Sequence, residues 1–267
     1  MTKPTERQIV VGGHAHRVLE SGTGEPLVFF AGVGGLPRWT PFLEKLAATR
    51  RVIAPSLPGF PGAPEFRHLD EYYDWVLTVL ELLEQLDVER VDLAGSSVGG
   101  ALAAELAALD PRRIRRLALI APFGIYDDSD PTTDIWAQPP GPDALPQLLC
   151  QRPQAWEALW QMPEDEDPVE WRILLGRSME AAARYLFPLG DTRIARRLYR
   201  ITQPVLLIRG VDDRVMPQSY QARFAAGIAG PVKRADIPDA GHLAELDAPD
   251  QVASEIDAFL SDAAVAD

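Results

Sequence analysis

The chain has 267 residues, 46% of them hydrophobic, which suits one sizeable domain with an insertion. Its 26 basic and 39 acidic residues give a net charge of −13, which disfavours nucleic acid as a partner because phosphate backbones are also negative. A single cysteine, Cys150, rules out an intrachain disulfide, and the sequence lacks the long apolar run of a membrane span. Because residues 1–7 do not read as a signal segment, we expect a cytoplasmic protein that does not bind membranes.

The first part of the chain predicts strands that alternate with helices. Two short β-type runs flank Gly12-Gly13 and predict a hairpin at the edge of a sheet. In chain order the predicted elements are hairpin strands at 8–11 and 17–20, a strand at 26–30, a helix at 39–48, a strand at 52–54 and a helix at 70–86. The last helix carries apolar residues at helical spacing, as expected of a helix that packs on a sheet.

The alternation continues through the second part of the chain. The predicted elements are a strand at 91–94, a helix from residue 100 that ends at Pro111, strands at 114–120, 204–209 and 232–237, and a helix at 249–260. Strands that alternate with helices predict an α/β fold, with a mostly parallel central sheet and helices on both faces. In such sheets ligands bind at the carboxyl ends of the strands.

The alternation breaks between residues 122 and 203, where proline and acidic residues concentrate. Four of the six tryptophans lie here, namely Trp136, Trp156, Trp160 and Trp171. We interpret 122–203 as a helical cap segment over the active site, with 1–121 and 204–267 forming the core. Trp156 and Trp160, four residues apart, would share a helix face, and at least one of them is expected to pack inside the cap. Trp136 is the first candidate for an aromatic residue that faces the substrate.

The sequence 95–99, Gly-Ser-Ser-Val-Gly, is the most informative motif. It lies between a predicted strand and a predicted helix, which is the position of the nucleophile of a serine hydrolase. The turn there is so sharp that the residues two positions before and after the nucleophile must be glycine. Ser97 meets this condition, whereas Ser96 would be flanked by Ala94 and Val98. We therefore predict that Ser97 is the nucleophile.

A serine hydroxyl needs a base, and the base needs an acid that orients it. Of the four histidines, His14, His16 and His68 precede Ser97, whereas His242 follows a predicted strand and is the candidate base. The acid should follow the strand at 204–209, where Asp213 is favoured over its neighbour Asp212 by its spacing from the preceding glycine and the following turn. Asp127 and Asp128, after the preceding strand, are weaker substitutes.

Several further segments resemble those of the α/β-hydrolase superfamily, in the branch of cap-bearing esterases and carbon–carbon bond hydrolases. They are the strand and oxyanion loop at 27–35, the strand and loop at 51–60, the strand at 117–124, the acid loop at 210–217 and Gly241-His242. The chain departs from the family with Ala31, where a histidine usually braces the oxyanion loop, and with Ser56, where aspartate is frequent. The resemblance covers nearly the whole chain and implies the α/β-hydrolase fold.

The resemblance also implies further site residues. The backbone N–H groups of Val33 and Val98 would stabilise the oxyanion. The candidates for the substrate pocket are Gly32, Gly34, Trp39, Phe123, Trp136, Met216 and Leu243. The chemistry of the triad requires neither a metal nor an organic cofactor.

These residues predict a serine hydrolase that cleaves the carboxylic ester of a small, largely apolar substrate through an acyl-enzyme. The same triad serves carbon–carbon bond hydrolases, lactonases and cofactor-free haloperoxidases, although Leu243 stands where the carbon–carbon hydrolases tend to carry tryptophan. A small-molecule receptor that hydrolyses slowly is an alternative of a different class. The expected partner is the small ester or related carbonyl substrate, and a homodimer is a candidate oligomeric state.

Overall fold

A computed structural model describes residues 4–138 and 144–262. The described residues contain one eight-stranded sheet. Its strands are Thr5–Val11 (β1), His14–Ser21 (β2), Pro26–Phe30 (β3), Arg51–Pro55 (β4), Val91–Ser96 (β5), Ile114–Ile120 (β6), Val205–Gly210 (β7) and Val232–Ile237 (β8). Each predicted strand is present, and several extend one to three residues beyond the predicted bounds because pairing with a neighbouring strand continues past the apolar run.

The strand order is β1-β2-β4-β3-β5-β6-β7-β8. β1 and β2 form the predicted edge hairpin, and β2 pairs antiparallel with β4. The remaining pairs, from β4-β3 to β7-β8, are all parallel. β5 and β7 are buried along their whole length, which explains why their sequences are apolar without alternation. The carboxyl ends of β3 to β8 therefore meet at one edge of the sheet.

The helices are Pro41–Ala47 (α1), Tyr72–Glu84 (α2), Ser97–Leu109 (α3), Ala144–Leu149 (α4), Pro153–Leu159 (α5), Pro168–Tyr185 (α6), Gln218–Gly227 (α7), Ala244–Asp247 (α8) and Pro249–Ser261 (α9). Outside the cap segment, α1 packs against α9 and α2 packs against α3, so that helices cover both faces of the sheet. The fold is the predicted α/β architecture.

Local capping explains why two helices begin later than predicted. The hydroxyl of Thr40 accepts a hydrogen bond from the backbone N–H of Leu43 at 3.3 Å, and this cap starts α1 at Pro41. The carboxylate of Asp74 accepts the backbone N–H of Glu71 at 2.8 Å, as in a capping box, and α2 starts at Tyr72.

The cap segment leaves the sheet uninterrupted, because β6 and β7 are parallel neighbours although the whole segment lies between them in sequence. It contains α4, α5 and α6, followed by short 3-10 turns at Ile194–Arg196 and Leu198–Arg200. Asp167 caps the start of α6 by accepting the N–H groups of Val169 and Glu170. Residues 139–143 of this segment lie outside the described residues, as do the chain ends at 1–3 and 263–267. The division into core and cap domains stays a prediction.

Candidate active site

Ser97 lies at the turn from β5 into α3, with a left-handed backbone φ of 53°. A Cβ at Gly95 would lie 2.5 Å from the carbonyl oxygen of Gly99, and a Cβ at Gly99 would overlap the carbonyl oxygen of Ala31. Residues 95 and 99 must therefore both be glycine for the chain to turn at Ser97. Ser96 is the last residue of β5 and has extended backbone geometry, with a φ of −110°.

Three side chains from three strand ends form a hydrogen-bonded relay at the carboxyl edge of the sheet. Oγ of Ser97 lies 2.9 Å from Nε2 of His242, which follows β8. Nδ1 of His242 lies 3.0 Å from Oδ2 of Asp213, which follows β7. Both distances are within hydrogen-bonding range, and the side chains of Asp213 and His242 are fully buried. The structure thus brings together the three residues proposed from the sequence.

The backbone around Asp213 fixes its carboxylate. Oδ1 accepts the N–H groups of Val215 and Met216 at 2.8 and 2.9 Å, which leaves Oδ2 for the imidazole. The neighbouring Asp212 donates its backbone N–H to Ala240 instead. Of the substitutes considered from the sequence, Asp127 is paired with Arg223. The geometry therefore favours Asp213 as the acid of the relay.

The loop that carries His242 is held by Asp247, a residue that the sequence analysis did not identify. The buried carboxylate of Asp247 accepts three backbone N–H groups at 2.8 Å, from Gly241, Gln151 and Arg152. Two of these donors belong to the junction of α4 and α5. One carboxylate thus ties the histidine loop to the cap segment.

The loop at 31–35, the predicted oxyanion loop, lies against Ser97. A Cβ at Gly32 would lie 3.2 Å from Cβ of Ser97 and 2.9 Å from Cδ2 of Leu243, so glycine is required for this close approach. Val33 follows Gly32 directly. Val98 is in the first turn of α3, where backbone N–H groups have no partner within the helix. The role of the Val33 and Val98 N–H groups as oxyanion donors stays a prediction.

A model of the alpha/beta hydrolase family matches residues 27–255, a range that contains the whole relay. The chain belongs to this family. The match agrees with the sheet order and with the turn that carries Ser97.

Two similar proteins come from Pseudomonas putida. The dihydrolipoyllysine-residue acetyltransferase component of an acetoin cleaving system is 32% identical over 96% of this chain and 70% of its own length. A 2-hydroxy-6-oxo-2,4-heptadienoate hydrolase is 28% identical over 82% of this chain and 83% of its own length.

Two solved structures share the fold. A 2-hydroxy-6-oxo-6-phenylhexa-2,4-dienoate hydrolase from Rhodococcus has a TM-score of 0.79 at 20% identity, covering 98% of this chain and 100% of that one. A carboxylesterase from Bacillus subtilis has a TM-score of 0.71 at 20% identity, covering 97% of this chain and 92% of that one. At these identities the likeness concerns the fold alone.

Four of the expected pocket residues of this α/β-hydrolase lie at the relay. Besides Gly32 and Leu243, the ring of Phe123 packs edge-on against His242, with 5.4 Å between the ring centres. The N–H of Met216 holds the acid, as described above.

The indoles of the two expected tryptophans are held by hydrogen bonds to residues outside the relay. The indole N–H of Trp39 donates to Glu44 at 3.1 Å, and that of Trp136 donates to the carbonyl of Met179 in α6 at 3.1 Å. Trp136 is 37% exposed. Trp136 is thus partly exposed and held against α6.

Other aromatic residues of the cap segment pack against Gly34. A Cβ at Gly34 would overlap the indole of Trp156 and lie 3.2 Å from Nε1 of Trp160. Both tryptophans are buried, and Ser97 and His242 are fully buried as well. Access of a substrate to Ser97 therefore requires movement of the side chains that cover it. The sequence indicated that the pair shares a helix face but not that this face covers Gly34.

A further ionisable group lies next to the relay. Burial raises the pKa of the Glu245 carboxyl in α8 to about 7, while the nearby Ser96 hydroxyl and His242 oppose this rise. Nothing in the sequence of α8 indicates that this carboxyl is buried.

Within residues 4–138 and 144–262, no group of three or more histidine, cysteine, aspartate or glutamate side chains is arranged to hold a metal ion. Among the helices of the same residues, none has the length and apolar character needed to cross a bilayer.

Proposed function

We propose that this chain is a serine hydrolase that cleaves carboxylic esters of small, largely apolar substrates. The observation that carries the proposal is the relay from Ser97 through His242 to Asp213, with links of 2.9 and 3.0 Å. An isolated serine hydroxyl is a weak nucleophile, and an adjacent imidazole held by a carboxylate is the arrangement that activates it.

In the proposed first half-reaction, Nε2 of His242 takes the proton from Oγ of Ser97 as the oxygen attacks the ester carbonyl carbon. The carbonyl π electrons move to the oxygen, and the tetrahedral oxyanion accepts hydrogen bonds from the N–H groups of Val33 and Val98. Each such donor typically contributes about 3 kcal/mol of transition-state stabilisation. The bond to the alkoxy group then breaks, and the imidazolium gives its proton to the departing alcohol.

In the second half-reaction, His242 takes a proton from water as the water oxygen attacks the acyl carbon on Ser97. The second tetrahedral intermediate collapses, the bond between Ser97 Oγ and the acyl carbon breaks, and the proton returns to Oγ. The carboxylate of Asp213 holds the imidazole in one tautomer and stabilises its charged form in both halves.

The preference for apolar substrates is supported by the residues around the relay. Phe123, Met216, Leu243 and Trp156 are all buried and apolar. Because a pocket lined by such side chains excludes water, it favours apolar acyl or alcohol groups.

A second candidate function is hydrolysis of a carbon–carbon bond in a ring-cleavage product. The observation that favours it is the similarity to hydrolases with names of this kind, at 28% identity for the Pseudomonas putida protein described above. The leucine at position 243, where such relatives tend to carry tryptophan, weighs against it.

The test compares purified wild-type protein with Ser97→Ala on p-nitrophenyl esters of increasing chain length, lactones and a ring-cleavage diketone. Ester turnover that depends on Ser97 and exceeds diketone turnover supports the proposal. Faster Ser97-dependent cleavage of the diketone would support the second candidate instead. Turnover of neither class would favour a receptor with this fold.

A further inference from the structure

Ser96 and Glu245 form a buried polar pair beside the nucleophile. Ser96 is fully buried and Glu245 is 5% exposed. Within the part of the chain that the structure describes, Oγ of Ser96 and Oε2 of Glu245 are buried without a hydrogen-bond partner. The hydroxyl lies close enough to lower the pKa of the carboxyl, although the two groups do not form a hydrogen bond of normal geometry. Buried polar atoms are nearly always satisfied in folded proteins, so two such atoms side by side require an explanation.

The pair lies behind the oxyanion loop. Glu245 lines a small cavity together with Ala31, Gly32 and Val33, and it is the one carboxylate among the described lining residues. A Cβ added at Gly32 would lie 3.2 Å from Oγ of Ser96. It would lie equally far, at 3.2 Å, from Cβ of Ser97. A charge on Glu245 therefore acts on the loop whose N–H groups are proposed to hold the oxyanion.

The surroundings determine when this charge forms. His242 and Asp247 flank Glu245 on its own segment, and they act in opposite directions on its ionisation. From the cap segment, Cys150 faces it, and the pKa of this thiol is raised by burial. Arg38 lines an adjoining cavity together with Glu245. The balance of burial against these neighbours makes the carboxyl neutral at acidic pH and ionised above neutrality.

We propose that Glu245 is a positioning residue, whose neutral carboxyl permits oxyanion formation at Ser97 and whose ionised carboxylate opposes it. The inference rests on the proposed function. The neutral carboxyl can donate its O–H to Oγ of Ser96 or accept the Ser96 O–H, and it adds no charge beside the loop. The ionised form can only accept the Ser96 O–H, and it places a second negative charge in a water-poor region close to the developing oxyanion, where charges are poorly screened.

The consequence is a loss of activity on the alkaline side. Activity falls as the pH rises and Glu245 ionises. The fall should appear in kcat and leave KM nearly unchanged, because the added charge acts on the transition state rather than on a neutral ester.

The experiment measures kcat and KM between about pH 5 and pH 9 on a p-nitrophenyl ester, with detection at the isosbestic wavelength of the product. Wild type should lose several-fold in kcat above neutrality, whereas Glu245→Gln should keep its maximal kcat to the alkaline end. Ser96→Ala removes the hydroxyl that lowers the carboxyl's pKa, so its alkaline fall should move to higher pH. Glu89→Gln makes the same chemical change at an exposed position and should show the wild-type profile.

A second readout does not depend on turnover. Infrared difference spectra between Glu245→Gln and wild type should show a neutral carboxylic acid band in wild type at about pH 6 that disappears at about pH 8. An alkaline fall that is unchanged in Glu245→Gln, or the absence of that band, overturns the inference while Ser97-dependent turnover leaves the proposed function standing. Loss of Ser97-dependent turnover itself would overturn the proposed function, and the mechanistic role of Glu245 with it.

Discussion

Ser97 has a backbone conformation that few residues other than glycine adopt, with a φ of 53°. Such strain persists only where the surrounding structure enforces it, and here β5, α3 and the oxyanion loop do so. The result is that Oγ is held 2.9 Å from the imidazole rather than being free to rotate among rotamers. Ser96, one residue earlier, is extended, and its hydroxyl lies near the carboxyl of Glu245.

Replacement of the two serines separates their roles. We expect Ser97→Ala to lower kcat by at least about a thousandfold, because the nucleophile is removed from a group of residues that act as a unit. Ser96→Ala should retain most of the activity at acidic to neutral pH. A fluorophosphonate probe followed by peptide mass spectrometry should label Ser97 in wild type. Near wild-type turnover by Ser97→Ala would refute the assignment of the nucleophile.

The two adjacent aspartates form a matched pair for testing the acid. Asp213→Asn should lower kcat by roughly ten-thousandfold, because an amide at this position favours the wrong imidazole tautomer. Asp212→Asn should have little effect, since Asp212 contributes a backbone N–H to the loop. Steady-state kinetics of both variants, with circular dichroism to check folding, decide the matter. The reverse ranking would assign the acid to Asp212.

At the scale of elements, α8 and the start of α5 are connected through Asp247. Three backbone N–H groups donate hydrogen bonds to its carboxylate. Hydrogen bonds to an ionised acceptor are strong, so they hold the two segments together. Asp247→Asn should lower the free energy of unfolding by about 1–3 kcal/mol, since one acceptor oxygen is replaced by an amide donor that faces N–H groups. Urea denaturation measures this loss. Asp250→Asn, on the exposed side of α9, is the control and should lower the free energy of unfolding by less than about 1 kcal/mol, because its ion pair with Lys45 is exposed.

The contact between α5 and the oxyanion loop makes Trp156 the better test of the cap segment. Trp156→Leu should shift kcat/KM towards longer ester chains, because it removes indole volume above Gly34. Trp136→Leu is the matched control, as its indole is partly exposed and bonded to α6. The measurement is kcat/KM across an ester series for both variants. If all esters decline by one common factor in Trp156→Leu, the residue supports stability and not substrate choice.

Across the whole molecule, the sequence predicted what depends on local pattern. Apolar runs such as β7 predict the strands of the sheet. The glycine pair around Ser97 predicts the turn at the carboxyl edge, and the loops after β7 and β8 contain the other two relay residues. Contacts between distant segments left no local pattern to detect. The burial of Glu245 depends on β5 and the oxyanion loop, and the cover over Gly34 depends on how α5 lies across it. Both follow from tertiary packing, which brings together residues far apart in the chain.

Glu245 also links the stability of the whole molecule to pH. Between its ordinary pKa of 4.5 and about 7, the folded chain holds a proton that the unfolded chain has lost. The free energy of unfolding therefore falls by about 3 kcal/mol in total as the pH rises through this window. Above it, Glu245 causes no further loss of stability.

Glu245→Gln should remove this dependence, so that the variant gains at least about 2 kcal/mol over wild type when the pH is raised from about 5 to about 8. Urea unfolding followed by far-UV circular dichroism at the two pH values gives the difference. Glu89→Gln should track wild type at both, because Glu89 is exposed. A stability difference between Glu245→Gln and wild type that is the same at both pH values would mean that the pKa of Glu245 is not raised in the folded protein. The alkaline loss of activity would then have to come from another group.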